Sequence, residues 1–172
     1  MIGGPKTVFV RSGALKLRAM PASVEIRLAL PEDAHAIAAL SREAIEHGLP
    51  WRWTPQRVRR SLRDRSTNVI VGHEQGVLHG FAIMKYDDEE AHLLLLAVAA
   101  AQRHRHIGST LMAWLDATTR AAGIAVIRVE ARASNTQARS FYKHHGFRET
   151  GIVSGYYEDV EDAVRMRRDL RS

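Results

Sequence analysis

The sequence predicts an α/β (α+β) domain with a central, mixed but mostly antiparallel sheet of about six or seven strands, flanked by about four helices. Three observations lead to this fold class: a strand followed by a helix at the start, three consecutive β-like runs joined by short turns, and an apolar strand–helix–strand unit in the second half. The last unit predicts one parallel pair, because a crossover helix returns the chain in the same direction. At 172 residues and 45% apolar content, the chain can fill one core.

The first 23 residues mix Gly, Pro, Ser and scattered basic residues, and they lack a sustained period of either a strand or a helix. We expect residues 1–23 to be an N-terminal extension that is only partly ordered. The predicted domain therefore covers residues 24–172.

The domain opens at Val24 with "VEIRLAL", whose alternation is typical of a strand. A helix follows, because Pro31 lies at its first turn and Ile37, Leu40 and Ile45 share one face. A second helix is predicted at about 55–64, with arginines surrounding a narrow apolar side.

Three β-like runs come next: "STNVIVGHEQG", "VLHGFAIMKYDD" and "EAHLLLLAVAA". They are separated by Gln75-Gly76 and by the acidic tip, residues 87–90, so we predict an antiparallel meander.

The second half begins with a predicted helix from about Ile107 to Gly123, followed by the buried strand "IAVIRVEAR". Ser134 or Asn135 can cap a further helix that stops at Gly146. A last pair of strands is predicted around 151–157 and 163–170.

Composition excludes several chemistries. The chain has no cysteine, which excludes disulfides, thiolate metal sites, Fe–S clusters and an acyl-cysteine intermediate. The longest uncharged apolar run, Leu93 to Ala101, is about half the length of a membrane span, and the N-terminus lacks a signal-peptide core. We expect a cytoplasmic protein without a membrane partner. A net charge of +6 and a pI near 10.2 favour polyanionic or phosphorylated partners.

The basic run Arg103-His104-Arg105-His106 has three interpretations. A metal site lacks a third ligand at a recognisable spacing, so we expect no metal. Specific nucleic-acid binding is not expected either, because the candidate exposed aromatics, Trp51 and Trp53, are far away in sequence. The third interpretation is a phosphate site, since the run precedes a helix whose first N–H groups are unpaired.

Other residues at this predicted helix start fit the phosphate interpretation. Gly108 would let a ligand approach the backbone, while Ser109 and Thr110 offer hydroxyl groups. Arg103 and Arg105 could add charge-assisted hydrogen bonds.

The sequence resembles the GCN5-related N-acetyltransferase (GNAT) superfamily in two motifs. The first is the pattern Q/R-x-x-G-x-G/A after an L-x-V segment, which corresponds here to Leu96-Ala97-Val98 and to Arg103 through Gly108. His106 stands where the first glycine is usual, and Ala100 replaces a common proline. The second motif, N-x-x-A-x-x-F/Y-Y-x-x-x-G-F, is complete and comprises Asn135, Ala138, Phe141, Tyr142, Gly146 and Phe147.

The resemblance extends from about 24 to 170 and is greatest to bacterial ribosomal-protein alanine N-acetyltransferases and their relatives. It implies a GNAT fold and an acyltransferase that moves an acetyl group from acetyl-CoA to a primary amine, on a protein N-terminus or a small molecule. Without cysteine, direct attack in a ternary complex is the expected mechanism.

The resemblance also implies roles for individual residues. The Val98 N–H would polarise the thioester carbonyl, and Leu96 and Ala97 on the same strand would hold the pantetheine arm. Asn135 would lie near the pantetheine, and Tyr142 would contact the cofactor and act as general acid. The pyrophosphate would be bound by Arg103, His104, Arg105, His106, Ile107, Gly108 and Ser109.

Two residues are candidates for the general base. Glu130 precedes Tyr142 by twelve positions, an acid–tyrosine pairing that resembles the N-terminal alanine acetyltransferases. A carboxylate in such an apolar strand can instead be a structural partner of Arg128 or Arg132. His92, six residues before Val98, is the competing base, although a structural histidine at a strand edge is an equal alternative.

Acceptor recognition is assigned to "EHGLPWRWTP", with Trp51 and Trp53 as substrate-binding residues beside the acidic tip. The same tryptophans could equally cap the core. The alternative to an enzyme is a catalytically weak or inactive CoA-binding sensor of the same fold, which His106 favours. A homodimer is a further expectation.

Overall fold

The computed structural model describes residues 23–171, a seven-stranded sheet with helices on both faces. The predicted extension lies outside the described residues except for position 23. The strands are β1 (Glu25–Leu28), β2 (Thr67–Glu74), β3 (Val77–Tyr86), β4 (Ala91–Val98), β5 (Val126–Arg132), β6 (Arg148–Tyr157) and β7 (Glu161–Asp169). The helices are α1 (Ala34–Ala44), α2 (Pro55–Arg63), α3 (Ile107–Ala121) and α4 (Thr136–His144).

The sheet has the order β1-β2-β3-β4-β5-β7-β6, and every neighbouring pair is antiparallel except β4 and β5. The predicted meander and the predicted parallel unit, in which α3 connects β4 to β5, are therefore both confirmed. None of the helices in residues 23–171 is long and apolar enough to cross a membrane.

Two apolar cores lie on opposite faces of the sheet. On one face, α3 and α4 cover side chains from β2 through β7, including Met84, Ile127 and Met166. On the other face, α1 and α2 cover only the β2–β4 half, where Phe81 and Ile83 are buried. The β5–β7–β6 half of this second face is left for polar side chains.

A bulge in β4 lies where the sheet opens into a cleft. Ile83 pairs with Leu95 and Met84 with Leu93, so Leu94 is an extra residue on β4. The bulge switches the side-chain alternation, because Leu93 faces α3 and α4 whereas Leu95 faces α1 and α2. Pairing with β5 stops at the same point: it joins residues 91–93 to 127–129 and goes no further in the described chain. The carboxyl ends of β4 and β5 therefore diverge and leave a cleft.

Local differences from the sequence prediction are small. A 3-10 turn at Pro31–Asp33 precedes α1, and Asn135, not Ser134, caps α4 by accepting from the Ala138 N–H at 2.9 Å. The strand β6 begins at Arg148 instead of around 151, because Gly146 at a φ of +82° ends α4 and returns the chain to the sheet at once.

Candidate active site

Along the edge of β4 at the cleft, backbone N–H groups point alternately toward β3 and into the cleft. The Ala99 N–H donates to the His79 carbonyl on β3, at 2.8 Å. Because successive residues of a strand direct their N–H groups to opposite sides, the Val98 and Leu96 N–H groups face the cleft and that of Ala97 faces β3. The backbone of Val98 is thus available at the position where the family resemblance requires a donor.

The loop from 99 to 106 leads into α3 with several free N–H groups. The first bond of the helix runs from the Thr110 N–H to the His106 carbonyl at 2.9 Å, so the N–H groups of residues 107–109 precede the hydrogen-bonded ladder. His104 and His106 have φ values of +64° and +60°. Left-handed residues turn successive N–H groups toward one concavity, which is the geometry of a backbone anion site.

The backbone at His106 explains why the family pattern has a glycine there. A left-handed conformation brings the β-carbon of an L-residue close to the following carbonyl, at a cost of about 1–2 kcal/mol that glycine avoids. His106 has a φ of +60° and is the N-cap residue of α3. The loop therefore has the glycine-type conformation although it contains an imidazole.

Four residues of the predicted phosphate site use their side chains, or the lack of one, within the protein, and one of them is Thr110, whose hydroxyl donates to the His106 carbonyl at 2.9 Å. The Arg105 guanidinium binds both carboxylate oxygens of Glu74, at 2.9 and 3.0 Å, and also donates to the Gln102 amide oxygen. The Ser109 hydroxyl is hydrogen-bonded to His145 Nε2 at 3.0 Å.

The absence of a side chain at Gly108 has a different explanation from the close ligand approach that the sequence predicts. A β-carbon at this position would lie 3.1 and 3.3 Å from the Phe141 ring, so the missing side chain lets α3 pack against α4. Ile107 is buried and offers only its backbone, while Arg103 and His104 are exposed.

Tyr142 lies at the inner end of α4. Its side chain is 6% exposed and its ring packs edge-on against Phe141 and Phe147, at centroid distances of 5.3 and 5.4 Å. The hydroxyl has no hydrogen-bond partner within residues 23–171. Burial raises the pKa of Tyr142, which keeps its O–H protonated at neutral pH.

Glu130 and His92, which the sequence offered as competing bases, form one hydrogen-bonded pair. His92 Nε2 lies 2.5 Å from Glu130 Oε2. The other carboxylate oxygen accepts from Arg128 at 2.7 Å and from Arg165 at 3.0 Å. The alternative that Glu130 is a partner of Arg128 is thus confirmed as a contact, while Arg132 contacts the His47 carbonyl and Glu161 instead.

The electrostatics of this pair favour a permanently ionised carboxylate. Burial alone would raise the pKa of Glu130, but the hydrogen bonds and charge of His92, together with Arg128 and Arg165, lower it to about 2. The Glu130 side chain is 2% exposed and that of His92 is 16% exposed. A carboxylate with such a low pKa and both oxygens occupied is a weak proton acceptor, so Glu130 is better suited to orient His92.

The two tryptophans that the sequence predicts to bind the acceptor have different environments in the structure. Trp53 is 8% exposed, belongs to the core under α1 and α2, and has the Arg57 guanidinium 4.2 Å above its ring. Trp51 is 39% exposed and lines an open cavity of about 790 Å³ beside α1. The Glu46 carboxylate holds the intervening turn by accepting from the backbone N–H groups of residues 52 and 53. Trp51 is thus the more exposed of the two rings, with the Arg42 guanidinium 5.0 Å from its centroid.

Two polar contacts join the α1–α2 loop to the far side of the cleft. Arg132 on β5 donates to the His47 carbonyl at 3.0 Å, and Arg52 pairs with Glu158 in the β6–β7 turn at 2.6 Å. Tyr157 lies below this connection, with its hydroxyl 3.3 Å from the Glu130 carbonyl oxygen.

Several residues of the site could not be predicted from the sequence because their partners are distant along the chain. Glu74, which anchors Arg105, is 31 positions away, and Arg165 reaches Glu130 across 35 positions. One signal was present: the alternation of Val164 and Met166 with Arg165 and Arg167 predicts a strand with one basic face.

Comparison with known proteins identifies the family. Residues 36–170 match the acetyltransferase (GNAT) domain family. The chain belongs to the GNAT family. It is 30% identical over 132 residues to the [ribosomal protein bS18]-alanine N-acetyltransferase of Escherichia coli K12, covering 75% of this chain and 87% of that protein. The crystal structure of the Escherichia coli enzyme has a TM-score of 0.74 at 25% identity, with 86% of this chain and 94% of that chain covered.

Two further relatives are similar to this chain over a shorter segment or at a lower sequence identity. An uncharacterized N-acetyltransferase of Methanocaldococcus jannaschii is 34% identical over 97 residues, covering 56% of this chain and 62% of that protein, which is less than two thirds of its length. PaiA N-acetyltransferase of Thermoplasma acidophilum, solved with coenzyme A, has the same fold, with a TM-score of 0.74 at 21% identity and coverage of 86% and 99%.

As a GNAT protein, the chain is an acyltransferase of the N-acetyltransferase class. The described residues contain no group of three His, Asp or Glu side chains that could hold a metal ion.

Proposed function

We propose that the protein transfers an acetyl group from acetyl-CoA to a primary amine, on a protein N-terminus or a small molecule, by direct attack in a ternary complex. The observation that carries this proposal is the divergence of β4 from β5, which leaves the Val98 and Leu96 N–H groups facing an open cleft. The backbone of residues 104–109 fits a pyrophosphate at one end of that cleft, because its free N–H groups and left-handed residues form an anion concavity.

Acetyl-CoA supplies the activated acyl group as a thioester. The Val98 N–H donates to the carbonyl oxygen as negative charge develops there, when the acceptor amine forms the new C–N bond and the C–S bond breaks. Tyr142 donates its phenolic proton to the departing sulfur, because its O–H is protonated at neutral pH and is available as a donor. The proton lost by the amine moves to the base and finally restores the Tyr142 hydroxyl through solvent.

His92 is the proposed base, and Glu130 is its positioning residue. Because six residues of β4 separate His92 from Val98, the proton passes from the amine to His92 through bound water. If Nε2–H donates to the Glu130 carboxylate, the Nδ1 atom carries the lone pair that accepts the proton. This tautomer is stabilised because Glu130 remains ionised far below neutral pH. Glu130 then contributes charge to the protonated imidazole without taking the proton.

The direct test is calorimetric titration with acetyl-CoA, followed by CoA release in the presence of a panel of amines and N-terminal peptides. We expect binding in the range of ordinary KM values, roughly 1 μM to 1 mM, and turnover with at least one acceptor. Absence of binding across that range contradicts the proposal.

A matched pair of variants tests the base. His92→Gln should lower kcat on the order of 10²-fold while acetyl-CoA affinity is unchanged, whereas His144→Gln on the exposed face of α4 should leave kcat unchanged. Equal activity of the two variants on every acceptor would exclude His92 as the base.

A further inference from the structure

The polar half of the second sheet face carries a row of arginines. In the strand register, Arg128 on β5 pairs with Arg167 on β7, and Arg167 pairs in turn with Arg148 on β6. Like charges directly opposite each other are destabilising in a sheet. The row therefore indicates a surface that is arranged for negative charge.

Only part of this positive charge is compensated within the protein. Arg128 donates to Glu90 at 2.8 Å and to Glu130 at 2.7 Å. Arg165, beside Glu130, uses its Nε atom in a side-chain hydrogen bond, and no partner of its two Nη groups is found in residues 23–171. Arg167 makes no ion pair or side-chain hydrogen bond with any of those residues. The whole guanidinium of Arg167 and the two Nη groups of Arg165 are thus free to bind a ligand.

These open donors line a single concavity. A cavity of about 440 Å³ is bordered by Glu90, Arg128, Thr150, Arg165 and Arg167. It begins beside the His92–Glu130 pair, because Arg128 and Arg165 contact Glu130 directly. Neighbouring guanidinium forks with free N–H groups bind carboxylates through charge-assisted and often bidentate hydrogen bonds.

We propose that this arginine pocket, lined by Arg128, Arg165 and Arg167, selects peptide N-termini with an acidic side chain at the second or third residue. The inference rests on the proposed function, because the pocket is used only if an amine is acetylated at His92. It assigns an acceptor class to a surface outside the CoA-binding cleft.

The spacing determines which acidic acceptors fit. Glu130 and Arg128 are two residues apart on one strand, roughly 7 Å, and Arg167 lies one strand further, roughly 5 Å away. The amine and carboxylate of a free α-amino acid share one carbon and cannot span this separation. The amine reacts beside Val98, six residues after His92 on β4 and hence roughly 20 Å along the strands from Arg128, which pairs with His92. An extended peptide advances roughly 3.5 Å per residue, and extended Glu and Arg side chains together span roughly 10 Å, so the carboxylate of its second residue lies at the limit of the pocket and that of its third residue reaches it.

The test uses the full-length protein and peptides amidated at the C-terminus that differ only in having Glu, Gln or Lys at the second or third position. We expect kcat/KM to be about tenfold higher for Glu than for Gln, the ratio given by one charge-assisted hydrogen bond. Lys should be the poorest acceptor. A free dipeptide, with and without amidation, tests whether a terminal carboxylate can substitute.

Arg167→Gln removes the open guanidinium, and Arg148→Gln is its control, since Arg148 belongs to the same row but does not line the cavity. Arg167→Gln should reduce the Glu/Gln preference to about 1, whereas Arg148→Gln should keep the preference. Arg167→Glu should invert it in favour of Lys. A thermal melt of each variant confirms that it is folded.

The outcomes separate this inference from the proposed function. Acetylation of Glu and Gln peptides at equal rates, or a preference that survives Arg167→Gln, overturns the arginine pocket while the acetyltransferase proposal stands. No acetylation of any amine or peptide, with acetyl-CoA also unbound, overturns the proposed function and this inference with it. A preference that also weakens as salt is added supports the pocket, because exposed charges are screened.

Discussion

The cofactor side of the cleft, residues 96–110, is one continuous segment that runs from the end of β4 into α3. The acceptor side, in contrast, combines His92, Arg128, Glu130, Tyr157 and Arg165 from four different strands. In the proposed function the cofactor side binds mainly through backbone N–H groups, whereas the acceptor side consists of charged side chains that hold one another. A backbone site tolerates changes of side chain, and a side-chain network does not, so substitutions should affect the two sides unequally.

The largest effect is expected at Tyr142, the proposed general acid. Tyr142→Phe should lower kcat on the order of 10²-fold, because the proton for the leaving sulfur is lost. The free energy of unfolding should change by less than about 0.5 kcal/mol, since the hydroxyl has no partner among the described residues and the ring is retained. Steady-state kinetics and thermal melts measure both quantities. A stability loss without a kinetic defect would make Tyr142 a purely structural residue.

Glu130→Gln tests the acceptor-side network through stability and pH. We expect a loss of about 1–3 kcal/mol in the free energy of unfolding at pH 7, because Arg128 and Arg165 lose their shared carboxylate but remain partly solvated. The folded-state pKa is lowered from 4.5 to about 2. The ionised carboxylate therefore stabilises the fold above pH 4.5, and this contribution is lost as pH falls toward 2.

The difference between wild type and Glu130→Gln should accordingly shrink when denaturant melts are repeated from pH 4.5 downward. A difference that is independent of pH would show that the carboxylate charge does not stabilise the fold.

Glu74→Gln tests whether the cofactor side depends on a side-chain anchor. Glu74 holds the exposed Arg105, so its removal should raise the KM for acetyl-CoA only about threefold, with kcat unchanged. Glu43→Gln, at an exposed position on α1, is the matched control and should change neither parameter. A fall in kcat of Glu74→Gln would mean that the loop also positions the thioester.

The smallest effect is expected for His106→Gly. Removing the β-carbon from a left-handed residue should raise the free energy of unfolding by about 0.5–1 kcal/mol and leave acetyl-CoA affinity equal or higher. Ala113→Gly, at a right-handed and exposed position of α3, should instead lose about 1 kcal/mol. A large loss of affinity in His106→Gly would show that the imidazole itself binds phosphate.

The element order and the segment that we propose to bind the cofactor could be located in the sequence because they depend on near neighbours. Apolar alternation predicts β4, the basic run and the following apolar period predict the start of α3, and the two GNAT motifs lie within short segments. The bulge at Leu94 could not be predicted in the same way. Four consecutive leucines have no period that distinguishes one face of the sheet from the other.

The sequence by itself determined the fold class, the GNAT family and the place where α3 begins, at which we propose the pyrophosphate site. Local backbone preferences and contiguous motifs are sufficient for these features. Only the tertiary structure decided that His92 and Glu130 are one pair and that Arg165 joins them. It also showed that Trp53 is a core residue and that Arg105 is bound to Glu74. These contacts depend on strand order and register, which bring together residues more than 30 positions apart and are not encoded in any local pattern.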